Sequence, residues 1–364
     1  MTTTTRRRSA AFRILAATAT ATLLAIVAPG AARAQETIKL TVAAGHPPIF
    51  LWVKHLRETF MPTADAELAK SGKYKIEWNE AYGGTLAKIG SELESMQQGI
   101  SDMGIVATVF HPAKLPLNNV TYFVPFGPAD ANVVTKAIDY VQGLPELTAE
   151  WSKYNVVYLA GFSIDNYGLV TKEPVRTVAD LQGRKLGGAG PNLNWIKNTG
   201  AVGVQGSLNT FYNDMKTGVY EGTVIFVTAA VPAKLFEVAP NYTRTEFGAM
   251  YAGAVAINKN RWNALPDEVK AAFRKGANAY KAAYLAEQTA RIEASYAAWQ
   301  KAGGSVTELS AAERTKLVKT IPNPAKEWVK QSKAKGLPAD KVLKAYMDSV
   351  RATGFNFARD FDKE

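Results

Sequence analysis

The chain has 364 residues, 43 Lys+Arg against 32 Asp+Glu for a formal net charge of +11, and no cysteine. Disulfides, thiol catalysis and a Cys-ligated metal are thereby excluded, and a three-His metal centre would need all of His46, His55 and His111. The length allows two or three domains around a core of ordinary size, 47% of residues being hydrophobic.

The N-terminus accounts for much of the charge. Arg6, Arg7, Arg8 and Arg13 open a basic stretch, an Ala/Leu/Thr run follows from Ile14 to Ala28, and Ala32-Arg33-Ala34 closes it. This order reads as a secretory signal peptide, residues 1–34, cleaved near Ala34. The apolar run is shorter than the roughly 20 residues that span a bilayer. An uncleaved anchor is the alternative, and Arg7-Arg8 leaves twin-arginine export open. The segment holds five arginines and no acids, so the remainder carries +6, dispersed without blocks. So diffuse a charge on an exported chain argues against a nucleic-acid partner.

Beyond it, Ile38 to Ala44 reads as a buried strand ending in Gly45-His46-Pro47-Pro48, and helical periodicity runs from Phe50 to about Lys70. Lys75 to Asn79 alternates as a strand, Tyr82 to Leu86 is a turn, Ala87 to Gly99 is helical, and Met103 to Ala107 is an apolar strand. Strand, helix, strand, helix, strand predicts a parallel sheet with ligand-facing turns at its carboxyl ends. The pattern restarts with strands at Val156–Phe162, Gly168–Thr171, Arg184–Gly188 and Thr223–Thr228. Helices are expected at Ile196–Gly200 and at Thr210–Thr217, the second closed by Gly218. An Ala-rich helix runs from Asp267 to about Lys301. At ~1.5 Å per residue it would extend roughly 50 Å, along two lobes. The end of the chain, Leu309 to Glu364, reads as Lys-rich amphipathic helices that cover a lobe.

Four segments in order resemble the DctP-type substrate-binding proteins of TRAP (tripartite ATP-independent periplasmic) transporters. They are Gly84-Thr85-Leu86 through Gln98-Gly99-Ile100-Ser101-Asp102-Met103-Gly104, Asp180-Leu181-Gln182-Gly183-Arg184-Lys185-Leu186, Thr217-Gly218-Val219-Tyr220-Glu221-Gly222, and Asn258 through Trp262-Asn263-Ala264-Leu265-Pro266. The resemblance implies a fold of the periplasmic binding protein type: two α/β lobes around a cleft, joined by hinge strands and the long helix. Residues 36–163 and 251–290 would form lobe one, and 164–250 and 291–364 lobe two. It further implies a monomeric periplasmic receptor, without cofactor, that closes on a small ligand. Membrane permease subunits of the TRAP type would receive that ligand, with ion gradients supplying the energy.

One departure from the family bears on the ligand. Relatives carry, at the end of the strand after the "DLKGLKI" motif, an arginine that forks onto a ligand carboxylate. Here that position is Gly187. Arg184 falls on the opposite face of the strand, and Lys185 lies about 6.6 Å back along it, coexisting with the arginine in relatives. By the same spacing, Tyr167 stands where some relatives have a second basic residue, Ile225 where an asparagine is frequent, and Leu208 near a frequent aromatic. A buried carboxylate without a partner costs several kcal/mol, so the expected ligand is neutral, aromatic, or an amine or alcohol. An acid held by backbone amides, Asn and Tyr is the alternative. Restoring arginine at Gly187 would be expected to recover carboxylate binding.

The candidate ligand-binding residues follow from this frame. His46 ends the first strand; Tyr82 and Thr85 sit on the Gly-rich turn, where helix-start N–H groups favour a polar group. Phe110, with His111 beside it, follows the third strand of lobe one. Lobe two offers Asn166, Tyr167, Gly187, Asn192, Asn194, Trp195, Asn209, Tyr212 and Phe226. Each has a plainer alternative: a turn before Pro47 for His46, helix capping for Thr85, core packing for Trp195. An enzyme is not expected, since G-x-S-x-G, H-E-x-x-H and a P-loop are all missing from the sequence. A receptor serving a sensor kinase or an ATP-driven importer would look the same at this level.

Overall fold

A computed structural model describes residues 35–364, so the expected signal peptide lies outside the described residues. In chain order the strands are β1 (Glu36–Ala43), β2 (Tyr74–Ala81), β3 (Met103–Val106), β4 (Val156–Ile164), β5 (Tyr167–Thr171), β6 (Lys185–Gly188), β7 (Val202–Gln205), β8 (Gly222–Phe226), β9 (Asn241–Arg244), β10 (Met250–Asn258) and β11 (Ser305–Glu308). They form two sheets, β2-β1-β3-β10-β4 and β11-β9-β5-β8-β6-β7.

The first sheet is parallel where the strand–helix alternation predicts it, at β1 with β2 and β3. β10 then returns from far along the chain and inserts antiparallel between β3 and β4. It is buried along its whole length and rich in small residues, as suits a central strand covered on both faces. In the second sheet β6 runs parallel to β7 and β8, and β5 antiparallel to β8 and β9.

The chain passes between the sheets three times, and the two short crossings, through Asp165-Asn166 and through Thr245–Ala249, are tied together. Asn166 donates from Nδ2 to Glu246 Oε2 at 2.6 Å and accepts from Gly248 N–H at 2.8 Å, while Tyr167 N–H reaches Gly248 O at 3.2 Å. The third link is the helix Asp267–Lys301, whose bounds match those read from the sequence. Tyr280 donates to Trp52 O and Tyr284 to Ser163 O, both at 3.1 Å, beside the first sheet. About four turns beyond, Trp299 donates to Pro240 O at 2.9 Å beside the second.

Several local expectations need correction. The helix expected over Ala87–Gly99 is confined to Glu92–Gln97, because Gly90 takes φ +82° and the Glu92 carboxylate turns back to accept from Gly90 N–H at 2.7 Å. The segment at Ile196–Gly200 is not a helix: a 3-10 turn occupies Gly190–Ile196, and Asn198 at φ 63° ends it ahead of β7. The strand expected to reach Thr228 stops at Phe226, and the short helix Val227–Ala230 begins where the Asp165 carboxylate accepts from Thr228 N–H and hydroxyl. The long first helix does run from Leu51 to Ala69, with a π-helical turn at Leu56–Phe60.

The C-terminal helices divide differently from the expected assignment of 291–364 to lobe two. Helix Ala311–Thr320 lies by the turn Val178–Leu181, where Val178 N–H donates to Glu313 Oε2 at 2.6 Å. Pro324–Lys333 and Ala339–Arg351 instead pack on Leu117–Phe123 and Ala131–Gln142, beside the first sheet. The physical reason is a stripe of Val342, Leu343, Tyr346, Met347 and Val350 at helical spacing, together with Trp328, which stacks on Phe123 at 5.2 Å and donates to Pro116 O at 3.1 Å.

Candidate functional site: an aromatic cavity between the sheets

A cavity lies where the carboxyl ends of strands from both sheets meet. From the first-sheet side His46, Trp52, Val109, Phe110, Tyr122, Phe162 and Ala252 reach it. From the second come Tyr167, Ala189, Asn192, Leu208, Phe211, Val224 and Phe226. Its wall is a run of ring contacts. His46 meets Trp52 edge-on at 5.2 Å, Trp52 stacks on Phe162 at 5.7 Å, and Tyr167 meets Phe226 edge-on at 5.2 Å.

The two sides are held closed. Trp195 donates to Tyr122 O at 2.8 Å while stacking on that tyrosine at 5.9 Å. Asn209 donates to Gly45 O at 3.3 Å, and the Tyr122 and Tyr167 hydroxyls stand 3.5 Å apart. Gly190, at φ +56°, comes so close to Val109 that an added Cβ would lie 2.3 Å from its carbonyl oxygen.

No residue of the lining is a Lys, Arg, Asp or Glu. His46 is 3% exposed, and burial pushes its pKa down to about 3, so the ring is neutral at ordinary pH. Burial also raises the Tyr122 and Tyr167 phenols, keeping both as neutral hydroxyls. Among the described residues, fully buried polar atoms of the wall without a hydrogen bond to the protein include His46 Nδ1, Trp52 Nε1, and both Nδ2 and Oδ1 of Asn192. The arrangement offers an apolar, flat enclosure with a few neutral donors and acceptors and no counter-charge.

The glycine pair that ends β6 explains how the second-sheet wall is filled. A Cβ on Gly187 would lie 2.7 Å from Cε2 and Cζ of the Tyr220 ring, which is buried and donates to Asp214 Oδ2 at 2.9 Å. A Cβ on Gly188 would lie 2.6 Å from Asn192 Oδ1 and 2.5 Å from Leu193 Cδ2. The space beside position 187 is therefore occupied by a tyrosine ring, and Gly187 itself does not reach the cavity.

Of the residues singled out from sequence, His46, Phe110, Tyr167, Asn192 and Phe226 line the cavity, as does Leu208. The others stand elsewhere. Tyr82 and Thr85 form a turn of their own, Thr85 donating to Tyr82 O at 3.0 Å. Asn166 ties the two crossings, Trp195 backs the lining, Asn209 bridges to Gly45, and Asn194 donates to Pro191 O within its own turn. Tyr212 donates to Glu237 Oε2 at 2.7 Å. His111 is buried beside Glu92, with Nε2 and Oε2 3.3 Å apart. Sequence reasoning missed Trp52, Tyr122, Phe162 and Phe211. Phe162 could have been found, since it lies near the carboxyl end of a recognised strand; Tyr122 sits in a 3-10 segment that carries no periodic signal.

Two mixed sheets joined by crossing strands and a shared helix, with a cavity between them, define a two-lobed solute-binding protein. The chain belongs to the DctP family, bacterial extracellular solute-binding protein family 7, whose profile matches residues 49–331. It is thus a TRAP-type solute-binding receptor for small molecules. Solved structures share the fold. A marine metagenome TRAP solute-binding protein specific for aromatic acid ligands, in complex with 3-hydroxybenzoate, aligns with a TM-score of 0.76 at 20% identity over 87% of this chain and 99% of that one. A Bordetella pertussis extracytoplasmic solute receptor binding pyroglutamic acid aligns at 0.75 with 20% identity over 86% and 99%. A Sulfitobacter TRAP periplasmic protein with bound β-D-galacturonate aligns at 0.72 with 18% identity over 85% and 99%. No helix among the described residues is long and apolar enough to cross a membrane.

Proposed function

We propose that this receptor, exported and cleaved near Ala34, closes as a monomer over a small uncharged ligand with an aromatic or otherwise apolar body. It then delivers that ligand to a TRAP-type permease for uptake driven by an ion gradient. The observation that carries the ligand reading is the absence of any charged side chain from the cavity lining, with the Tyr220 ring filling the space beside Gly187. A ligand carboxylate would be desolvated there without a cation, at a cost of several kcal/mol. Binding without chemistry suits a cavity that offers no nucleophile activated by a base and no counter-charge for a transition state. We assign direct ligand contact to His46, Phe110, Tyr167, Asn192 and Phe226 among the residues singled out from sequence, and add Trp52, Tyr122, Phe162 and Phe211.

The second reading is an acid held by neutral donors. It is favoured by the ligands of the three similar structures, 3-hydroxybenzoate, pyroglutamate and galacturonate, and by the Tyr122, Tyr167 and Asn192 donors in the wall. Isothermal titration of the mature protein separates the two. Uncharged aromatics should bind at neutral pH, and succinate, pyroglutamate and 3-hydroxybenzoate should not. Tight binding of any of these acids would replace the first reading with the second.

A further inference from the structure

Asn192 is fully buried in the cavity wall, yet neither end of its side-chain amide makes a hydrogen bond within the protein. The Tyr167 hydroxyl is its polar neighbour, close enough for the amide to oppose the upward shift that burial gives the phenol. Buried amides in native structures find a partner in protein, ordered water or ligand, and this one faces the cavity. The position is also built: Asn192 sits on the 3-10 turn Gly190–Ile196, braced by the Asn194 side chain donating to Pro191 O at 2.8 Å. The missing side chain at Gly188 leaves the space that the amide oxygen occupies, 2.6 Å from where a Cβ would stand.

We infer that the ligand carries a carboxamide or lactam group, read by Asn192 through a reciprocal pair of hydrogen bonds. This rests on the uncharged-ligand reading above and narrows it. A side-chain amide presents one donor and one acceptor side by side. Its complement must present an acceptor and a donor side by side, which a primary amide or a secondary lactam does with its C=O and N–H. An alcohol can answer both atoms only through one oxygen, with both hydrogen bonds bent. A carboxylate sets two acceptors against Asn192 Oδ1, and a quaternary ammonium answers neither atom. The flat amide plane also suits the rings around it, where Tyr167 and Phe226 meet at 5.2 Å. His46 Nδ1, likewise without a hydrogen bond, offers a further polar contact from the first-sheet side.

The test is calorimetry on the mature protein with benzamide, nicotinamide, 2-pyrrolidinone and 2-pyridone. Benzyl alcohol, N,N-dimethylbenzamide and benzoate serve as the contrasting set. At least one amide or lactam should bind on the order of 10-fold or more tightly than the contrasting set, because a site built for a donor–acceptor pair strongly rejects ligands that leave it unpaired. Asn192→Asp, which replaces the donor by an acceptor, should erase that preference. Since a buried aspartate also costs folding stability, Asn192→Leu is the second variant and should bind amides and benzyl alcohol alike. Benzyl alcohol or N,N-dimethylbenzamide binding as tightly as the amides would overturn the amide assignment while leaving the uncharged-ligand reading intact. Benzoate binding most tightly would overturn both. No binding by any amide or lactam, or an amide preference that survives Asn192→Leu, would also overturn the assignment.

Discussion

The substitution Gly187→Ala tests how the cavity wall came to lack a cation. The added Cβ would lie 2.7 Å from two atoms of the Tyr220 ring, against a usual carbon–carbon contact of about 3.5–4.0 Å. The ring would have to retreat by about 1 Å, and Tyr220 is 1% exposed, so no open space receives it. Overpacking of this kind costs about 1–3 kcal/mol, and loosening the 2.9 Å bond from Tyr220 to Asp214 adds about 1 kcal/mol. Against this, alanine stiffens the unfolded chain and returns about 0.4–1 kcal/mol, Gly187 having no positive φ. The collision outweighs the entropy, leaving a net loss of about 1–3 kcal/mol. At this chain length that lowers Tm by on the order of 2–5 °C. The assay is a thermal double-mutant cycle with Tyr220→Ala. In the Tyr220→Ala background the collision is gone, so Gly187→Ala should be neutral or slightly stabilising. Equal losses in both backgrounds would refute the argument that Tyr220 holds the space beside residue 187. The same collision means that Gly187→Arg alone should gain no succinate binding.

Two further outcomes follow from the site. The folded pKa of His46, about 3, lies below the unfolded value near 6.5, so its stabilising contribution is present above pH 6.5 and falls as pH drops towards 3. Relative to His46→Asn, the wild type should lose about 2 kcal/mol between pH 7 and pH 5 in urea unfolding; parallel pH curves would contradict the burial argument. Trp195→Phe keeps the stack on Tyr122 but removes the bond to its carbonyl, weakening the closed state by about 1 kcal/mol. Ligand affinity should fall about 5-fold by calorimetry, and unchanged affinity would show that this contact does not hold the lobes closed.

Much of the scaffold was legible because it is written in local periodicity. β1 alternates buried Ile38, Leu40 and Val42 with outward Thr37 and Lys39. The helix Asp267–Lys301 follows Pro266 and ends just before Gly303, so its extent could be read from the sequence. Where the reading failed, a side-chain hydrogen bond, from a distant segment or from a near neighbour, had overridden the periodic pattern. The Asp165 carboxylate starts a helix at Val227, and Glu92 folds back on Gly90.

For the site, sequence alone located most of the strands whose carboxyl ends meet there, and determined that position 187 supplies no cation. Tertiary structure alone decided what fills the space instead. Tyr220 reaches position 187 because β6 and β8 are neighbours in the sheet. Trp52, Tyr122 and Phe162 line one cavity although they come from separate segments, in a sheet where β10 lies between β3 and β4. A one-dimensional pattern records the direction a side chain leaves the backbone, since that repeats with the local helix or strand period. Which volume it then occupies depends on segments brought beside it by close packing, where a tenth of a nanometre separates a contact from a collision.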